Sequence, residues 1–135
     1  WGPLLKYLPE DIQLPEPLIF NFGAELAASL RELGHEVHVF TLCHNFSREL
    51  HVAGDRVYLH IGGYRRGAWK YIFDFYRVEN KILSTMLKDY PCDILHAHWT
   101  YEFALPVVGS GLPHVVSMRD APLKCFSCIV RRRSG

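Results

Sequence analysis

A four-residue apolar rhythm, Leu18, Phe22, Leu26 and Leu30, stops at Gly34 and gives way to the β-branched run Glu36-Val37-His38-Val39-Phe40-Thr41-Leu42. The rhythm, widened by Ala27 and Leu33, predicts an amphipathic helix over 18–33 with Gly34 as its C-terminal stop. The run after it reads as a strand buried on both faces. Helix, glycine and buried strand make half of a βαβ unit, so the chain is constrained toward a parallel sheet covered by helices.

The rest of the chain repeats this alternation. Val52 and Val57-Tyr58-Leu59 flank Ala53-Gly54-Asp55, which predicts a strand pair within 49–61 that closes at Gly62-Gly63. From 69 to 90 the apolar residues, among them Ile72, Phe73, Tyr76, Leu83, Met86 and Leu87, keep near-helical spacing up to Pro91. A strand over 93–98 follows. A short helix over 100–110 comes next, with Thr100 as N-cap and Pro106 as a kink, and then a strand over 114–118. Pro3, Pro9, Pro15 and Pro17 make 1–17 a proline-rich loop, and 121–135 is a basic tail. The fold class expected is α/β, a Rossmann-like three-layer parallel sheet. Because no strand precedes the first helix, the chain is read as a fragment lacking its first strand, with Trp1-Gly2-Pro3 as that strand's trailing edge, or as an unusually short member of its fold.

Composition narrows the class of function. With 135 residues and a net charge of +1, the chain fits one domain and gives no electrostatic reason for a nucleic-acid partner. Arg65-Arg66 with Lys70, and Arg131-Arg132-Arg133, are read as solvated surface, with peripheral contact to a membrane face as the alternative. No apolar run spans a bilayer and no secretory signal is recognisable, which places the protein in the cytoplasm. Cys43 and Cys92 sit beside strands, where a thiol packs well. Cys125 and Cys128 have zinc spacing but lack a partner pair, and structural zinc takes four ligands.

Chemistry concentrates in Cys92-Asp93-Ile94-Leu95-His96-Ala97-His98-Trp99, an apolar strand running into two histidines and a tryptophan. The carboxyl ends of strands are where open α/β sheets bind ligands. Alternation puts His96 and His98 on one face. His96 is read as a core histidine bonded to backbone, and His98, at the strand end, as a group lining the cleft. Trp99 stacks on a ring of the ligand or seals the strand end. Two histidines one residue apart are also half a metal site, but Trp99, Thr100 and Tyr101 add no ligand, so no metal is expected. A G-x-G-x-x-G fingerprint after a strand is absent, which argues against a dinucleotide-binding domain.

Gly23-Ala24-Glu25 opening a helix, Leu33-Gly34-His35-Glu36-Val37-His38-Val39 at its exit, the 92–99 stretch, and Ser110-Gly111-Leu112-Pro113-His114-Val115-Val116 occur in that order. Together they resemble the N-terminal domain of family 4 retaining glycosyltransferases, over roughly 18–120. The resemblance implies one half of a GT-B architecture of two facing Rossmann-like domains. It also implies an acceptor-binding role, with transfer of a sugar from a nucleotide-sugar donor to a hydroxyl acceptor. Most of the donor would be held by a C-terminal domain not contained in these residues, so the chain is expected to be inactive alone. A non-catalytic Rossmann-like binding domain, or a truncated fragment, is the alternative.

Residue by residue, the resemblance puts Gly23 where a helix start faces the donor diphosphate, as a single glycine where the family has two. It makes His98 and Asp120 the catalytic candidates, and Trp99, Arg119 and Gly23 the substrate-binding ones. Arg119 stands where the family has histidine, replacing a titratable ring by a fixed cation. No cofactor is implied beyond the nucleotide-sugar itself.

Overall fold

A computed structural model describes residues 1–16, 22–44, 46–66 and 73–118. Its contacts divide into two compact units, Trp1–Cys92 and Asp93–Gly135. The fold is α/β, with helices and parallel strand pairs in both units, as the sequence predicts for a Rossmann-like half.

In the first unit β1 (Val37–His44) runs parallel to β3 (Val57–Tyr64), and β2 (Leu50–Ala53) pairs antiparallel with β3, giving the order β1-β3-β2. Strand side chains alternate, and the two faces bury different things. Val37, Val39 and Cys43 of β1, Val57, Leu59 and Ile61 of β3, and Leu50 and Val52 of β2 form one face. Ala24, Ala27 and Ala28 of α1 (Phe22–Glu32) pack on it, small residues that let the helix approach closely. Val57, Leu59 and Ile61 are fully buried, and each such side chain contributes about 1.5–3 kcal/mol relative to exposure.

The other face meets α2 (Arg77–Asp89), whose Leu83 and Met86 are buried. Gly62 makes that contact possible: a Cβ there would lie 2.7 Å from Ile82 Cγ2 and 3.0 Å from both Leu42 Cδ2 and Met86 Cε. The glycine pair therefore does not close β3 as expected. It lies inside the strand, opposite Leu42 and Cys43, where a helix and a loop come close.

Three other expectations change. The proline-rich opening contains a 3-10 helix, Gly2–Tyr7, because Pro3 falls in its first turn, where a missing N–H costs nothing. Leu4 and Leu8 from this segment join the core. The helix expected over 69–90 is interrupted ahead of Arg77, where α2 begins, since Phe75 (φ 50°) and Tyr76 (φ 58°) adopt left-handed backbone; 67–72 lie outside the described residues. The stretch 17–21 of the first expected helix also lies outside them.

In the second unit β4 (Leu95–His98) and β5 (His114–Ser117) are parallel, with Leu95 opposite His114 and His98 opposite Ser117. The crossover helix α3 (Ala104–Gly109) is shorter than expected. Its N-cap is Phe103 rather than Thr100, and Pro106 sits in the first turn, where it needs no donor and introduces no kink.

Candidate functional site

Both units end their parallel strands at groups able to meet a ligand. In the second unit Leu95 and Ala97 of β4 point into the core while His96 and His98 share the opposite face. The two imidazoles stack with centroids 4.1 Å apart and planes 29° from parallel. His96 is exposed, and its Nε2 lies 2.7 Å from the Ser117 hydroxyl on β5. The expectation of a core histidine bonded to backbone is thus corrected: the His96 ring is exposed and meets a side-chain hydroxyl, while β4 buries its Leu95 and Ala97 side. His98 is half-buried one step further along, level with Ser117.

Trp99 follows with φ 116°, although its N–H still donates to the Ser117 carbonyl at 3.2 Å. Such a backbone costs a bulky residue on the order of 1–3 kcal/mol and is found where surrounding structure imposes it, often at ligand sites. The kink turns the chain sharply at the strand end, and the Trp99 and Tyr101 rings lie 6.3 Å apart beside it. Two imidazoles, a serine hydroxyl and an indole therefore share the end of one parallel strand pair. This set can donate and accept hydrogen bonds and stack on a ring, and it holds no fixed charge.

In the first unit, an open hollow of about 350 Å³ lies past the ends of β1 and β3, lined by Ser47, Arg48, Glu49, Gly63, Tyr64 and Arg65 among others. His44, the last residue of β1, packs edge-on against Tyr64, the last of β3, at 5.0 Å. Gly63 allows the loop after β1 to close over the strand, since a Cβ there would fall 2.3 Å from the Phe46 carbonyl oxygen. Gly63→Ala is therefore expected to push the 46–49 wall outward and cost about 1–3 kcal/mol. Urea unfolding measures the cost; an unchanged midpoint would show that the loop yields freely.

Arg65 forms the rigid side of the hollow. Its guanidinium grips Glu79 through Nε–Oε1 (2.8 Å) and Nη2–Oε2 (2.6 Å), and Asp74 through Nη1–Oδ2 (2.7 Å) and Nη2–Oδ1 (3.0 Å). The reading of Arg65 as solvated surface is corrected: two forked carboxylates satisfy it and hold it at the wall. Arg66 is exposed, and Lys70 lies outside the described residues. Burial pushes the Glu79 carboxyl up, but the Arg65 bonds and charge outweigh this, and it ends below the usual carboxylate range. The sequence holds a signal for this pair. Glu79 occupies the apolar stripe of α2 with Leu83 and Met86, and a carboxylate at a core position implies a buried cation.

Gly23 is the second residue of α1 and half-buried. Arg119 and Asp120, like Cys125, Cys128 and Arg131 to Arg133, lie outside the described residues. No helix among the described residues is long and apolar enough to cross a membrane.

The model of the glycosyl transferase 4-like domain family matches residues 23–133. The chain belongs to that family. The match runs from Gly23 through the β4–β5 strand ends, so the family 4 glycosyltransferase domain includes Gly23, His98, Trp99, Arg119 and Asp120. Comparison with curated proteins and with solved structures gives no match.

Proposed function

We propose that this domain is the acceptor side of a retaining GT-B glycosyltransferase, which moves a sugar from a nucleotide-sugar to a hydroxyl acceptor. The observation carrying the reading is His98, half-buried at the carboxyl end of a parallel strand pair in a chain of this family. There its imidazole accepts a proton from, or donates one to, an acceptor or sugar hydroxyl, while the Trp99 ring packs on a sugar face. Asp120 is assigned to orient the acceptor and Arg119 to clamp a phosphate or carboxylate bidentately. Gly23 keeps the start of α1 open to the donor diphosphate, where free amides and the helix dipole favour negative charge.

In this reading the donor is held mainly by a companion C-terminal domain, and the 135 residues alone do not turn over. Charge on the leaving diphosphate is met by helix ends and basic side chains, without a metal. The protein works in the cytoplasm, with peripheral contact to a membrane available to its exposed basic groups.

A transfer assay tests this. The chain, paired with a family donor-binding domain, is given nucleotide-sugars and hydroxyl acceptors, and the product anomer is read by proton NMR. Glycoside of retained configuration is expected, and none without the partner domain. Inverted product, or nucleotide-sugar bound by the pair but never transferred, would argue for a non-catalytic binding domain.

A further inference from the structure

Three histidines lie in a row across the face of the first sheet that meets α2, one on each strand. His60, on the central strand β3, is 2% exposed. Its Nε2 lies 2.9 Å from His38 Nδ1 on β1, and its Nδ1 lies 3.0 Å from His51 Nδ1 on β2. The outer nitrogens of the row face carboxylates: His38 Nε2 is 3.3 Å from Glu36, and His51 Nε2 is 3.8 Å from Glu49. Tyr90, just past α2, covers the His60 ring at 4.0 Å, Phe40 stacks on it at 4.7 Å, and Tyr58 stacks on His38 at 4.6 Å.

Counting protons shows what this row can do. An ionised carboxylate only accepts, so a nitrogen bonded to one carries a proton. Each contact between rings needs one proton and has room for only one. Three contacts lie within hydrogen-bond distance, Glu36–His38, His38–His60 and His60–His51, and three neutral imidazoles carry the three protons they need. The longer His51–Glu49 approach has room for one proton above neutrality, and a further one sets two N–H groups head to head. The same geometry is wrong for a metal, because His60 directs its two nitrogens to different neighbours and the rings share no common point. Among the described residues no group of three or more histidine, cysteine or acidic side chains is arranged to hold a metal ion.

We propose that the Glu36–His38–His60–His51–Glu49 row is an acid-sensitive latch, in which entry of a second excess proton breaks the His60–His51 contact and releases β2 from β3. The contact to His51 yields rather than that to His38 for two reasons. β2 has four residues against eight in β1, and the His51 side chain is 36% exposed against 16% for His38. A cationic His51 reaches water by swinging out, whereas His38 is stacked between Tyr58 and its row neighbour His60. Among the described residues, the titratable groups set against these rings are Glu36 before β1, Glu49 before β2, Tyr58 on β3 and Tyr90 after α2. Both carboxylates favour the row with its first extra proton.

Burial, helped by the neighbouring His38 and His51, pushes His60 down to about 4. Since its ordinary value is near 6.5, the opened state takes up more protons between these two values, and the closed latch weakens as pH falls through that window. Glu49 also lines the hollow past β1 and β3, so release of β2 loosens one wall of it.

Amide hydrogen exchange, corrected for intrinsic rates, tests the latch on the whole chain at pH 7 and pH 5. The protection of β2 amides is expected to fall at least tenfold at pH 5, while β1 amides bonded to β3 keep theirs. In His51→Phe, and in the smaller change His51→Gln, β2 protection should lose this pH dependence. Protection of β2 that is equal at the two pH values in the wild type, an equal acid loss in both variants, or a parallel loss over β1 and β3 would each overturn the proposal.

Discussion

Arg65→Ala is expected to destabilise the Trp1–Cys92 unit by about 3 kcal/mol, toward the low end for breaking a buried ion pair because Arg65 itself reaches solvent. The loss arises on the partner's side. Glu79 is completely buried, and without the guanidinium its carboxylate keeps the desolvation penalty and loses both forked bonds. The turn it closes suffers as well. Phe75 and Tyr76 hold left-handed backbone between Asp74 and Glu79, and Arg65 grips both flanking carboxylates. Non-glycine residues in that conformation cost roughly 1–2 kcal/mol each, so the clamp is what keeps α2 starting at Arg77.

Asp74→Asn should cost less, about 1 kcal/mol or below, because Asp74 is 32% exposed on its side chain. Equilibrium urea unfolding separates the two, and equal small effects would show that Glu79 is satisfied without Arg65. The pH dependence has a definite sign. The folded values of Glu79 and Asp74 lie below their unfolded ones, Asp74 chiefly through its Arg65 bonds. Their contribution is therefore complete above the ordinary carboxylate range and is lost as pH falls below it. In Arg65→Ala that acid-side slope should flatten.

What the sequence announced and what it hid divide along physical lines. Periodicity reports burial, and so β1, the β2–β3 pair, β4, β5 and the parts of the helices within the described residues are legible where apolar residues repeat at the right spacing. It reports nothing of backbone sign: the left-handed pair at Phe75 and Tyr76 interrupts what reads as one continuous helix. Gly62 and Gly63 read as a stop because glycine is poor in strands. Their role is set by Ile82, Met86 and Phe46, which approach from elsewhere in the chain. At the site, alternation correctly paired His96 with His98 on one face. It left open which face was covered, and the structure exposes His96. Arg65 looked like surface because nothing beside it announces its partners, nine and fourteen residues away; the signal lies instead at Glu79, a carboxylate in the apolar stripe of α2.

His98→Ala is expected to reduce sugar transfer by the two-domain pair about 100-fold, the scale of losing one polar group that acts on charge or protons in the transition state. His98 is half-buried at a strand end, so the domain should stay folded, with its melting temperature shifted by only a few degrees at most. If the loss falls on kcat with KM little changed, the imidazole acts in the transition state; if KM rises alone, it only binds. Trp99→Ala bears on the same point from the other side, since a stacking role predicts a rise in KM for the sugar-bearing substrate.

If the end of β4 meets the hydroxyl acceptor, side-chain NMR of the 135-residue chain registers that contact. Resonances of the His98 imidazole and the Trp99 indole N–H are followed while simple glycosides and polyols, and separately UDP and GDP, are titrated in. The account predicts saturable shifts at both side chains with hydroxyl compounds, absent in His98→Ala, and little response there to the nucleotides. Shifts produced by the nucleotides alone, or none with any compound, would contradict it.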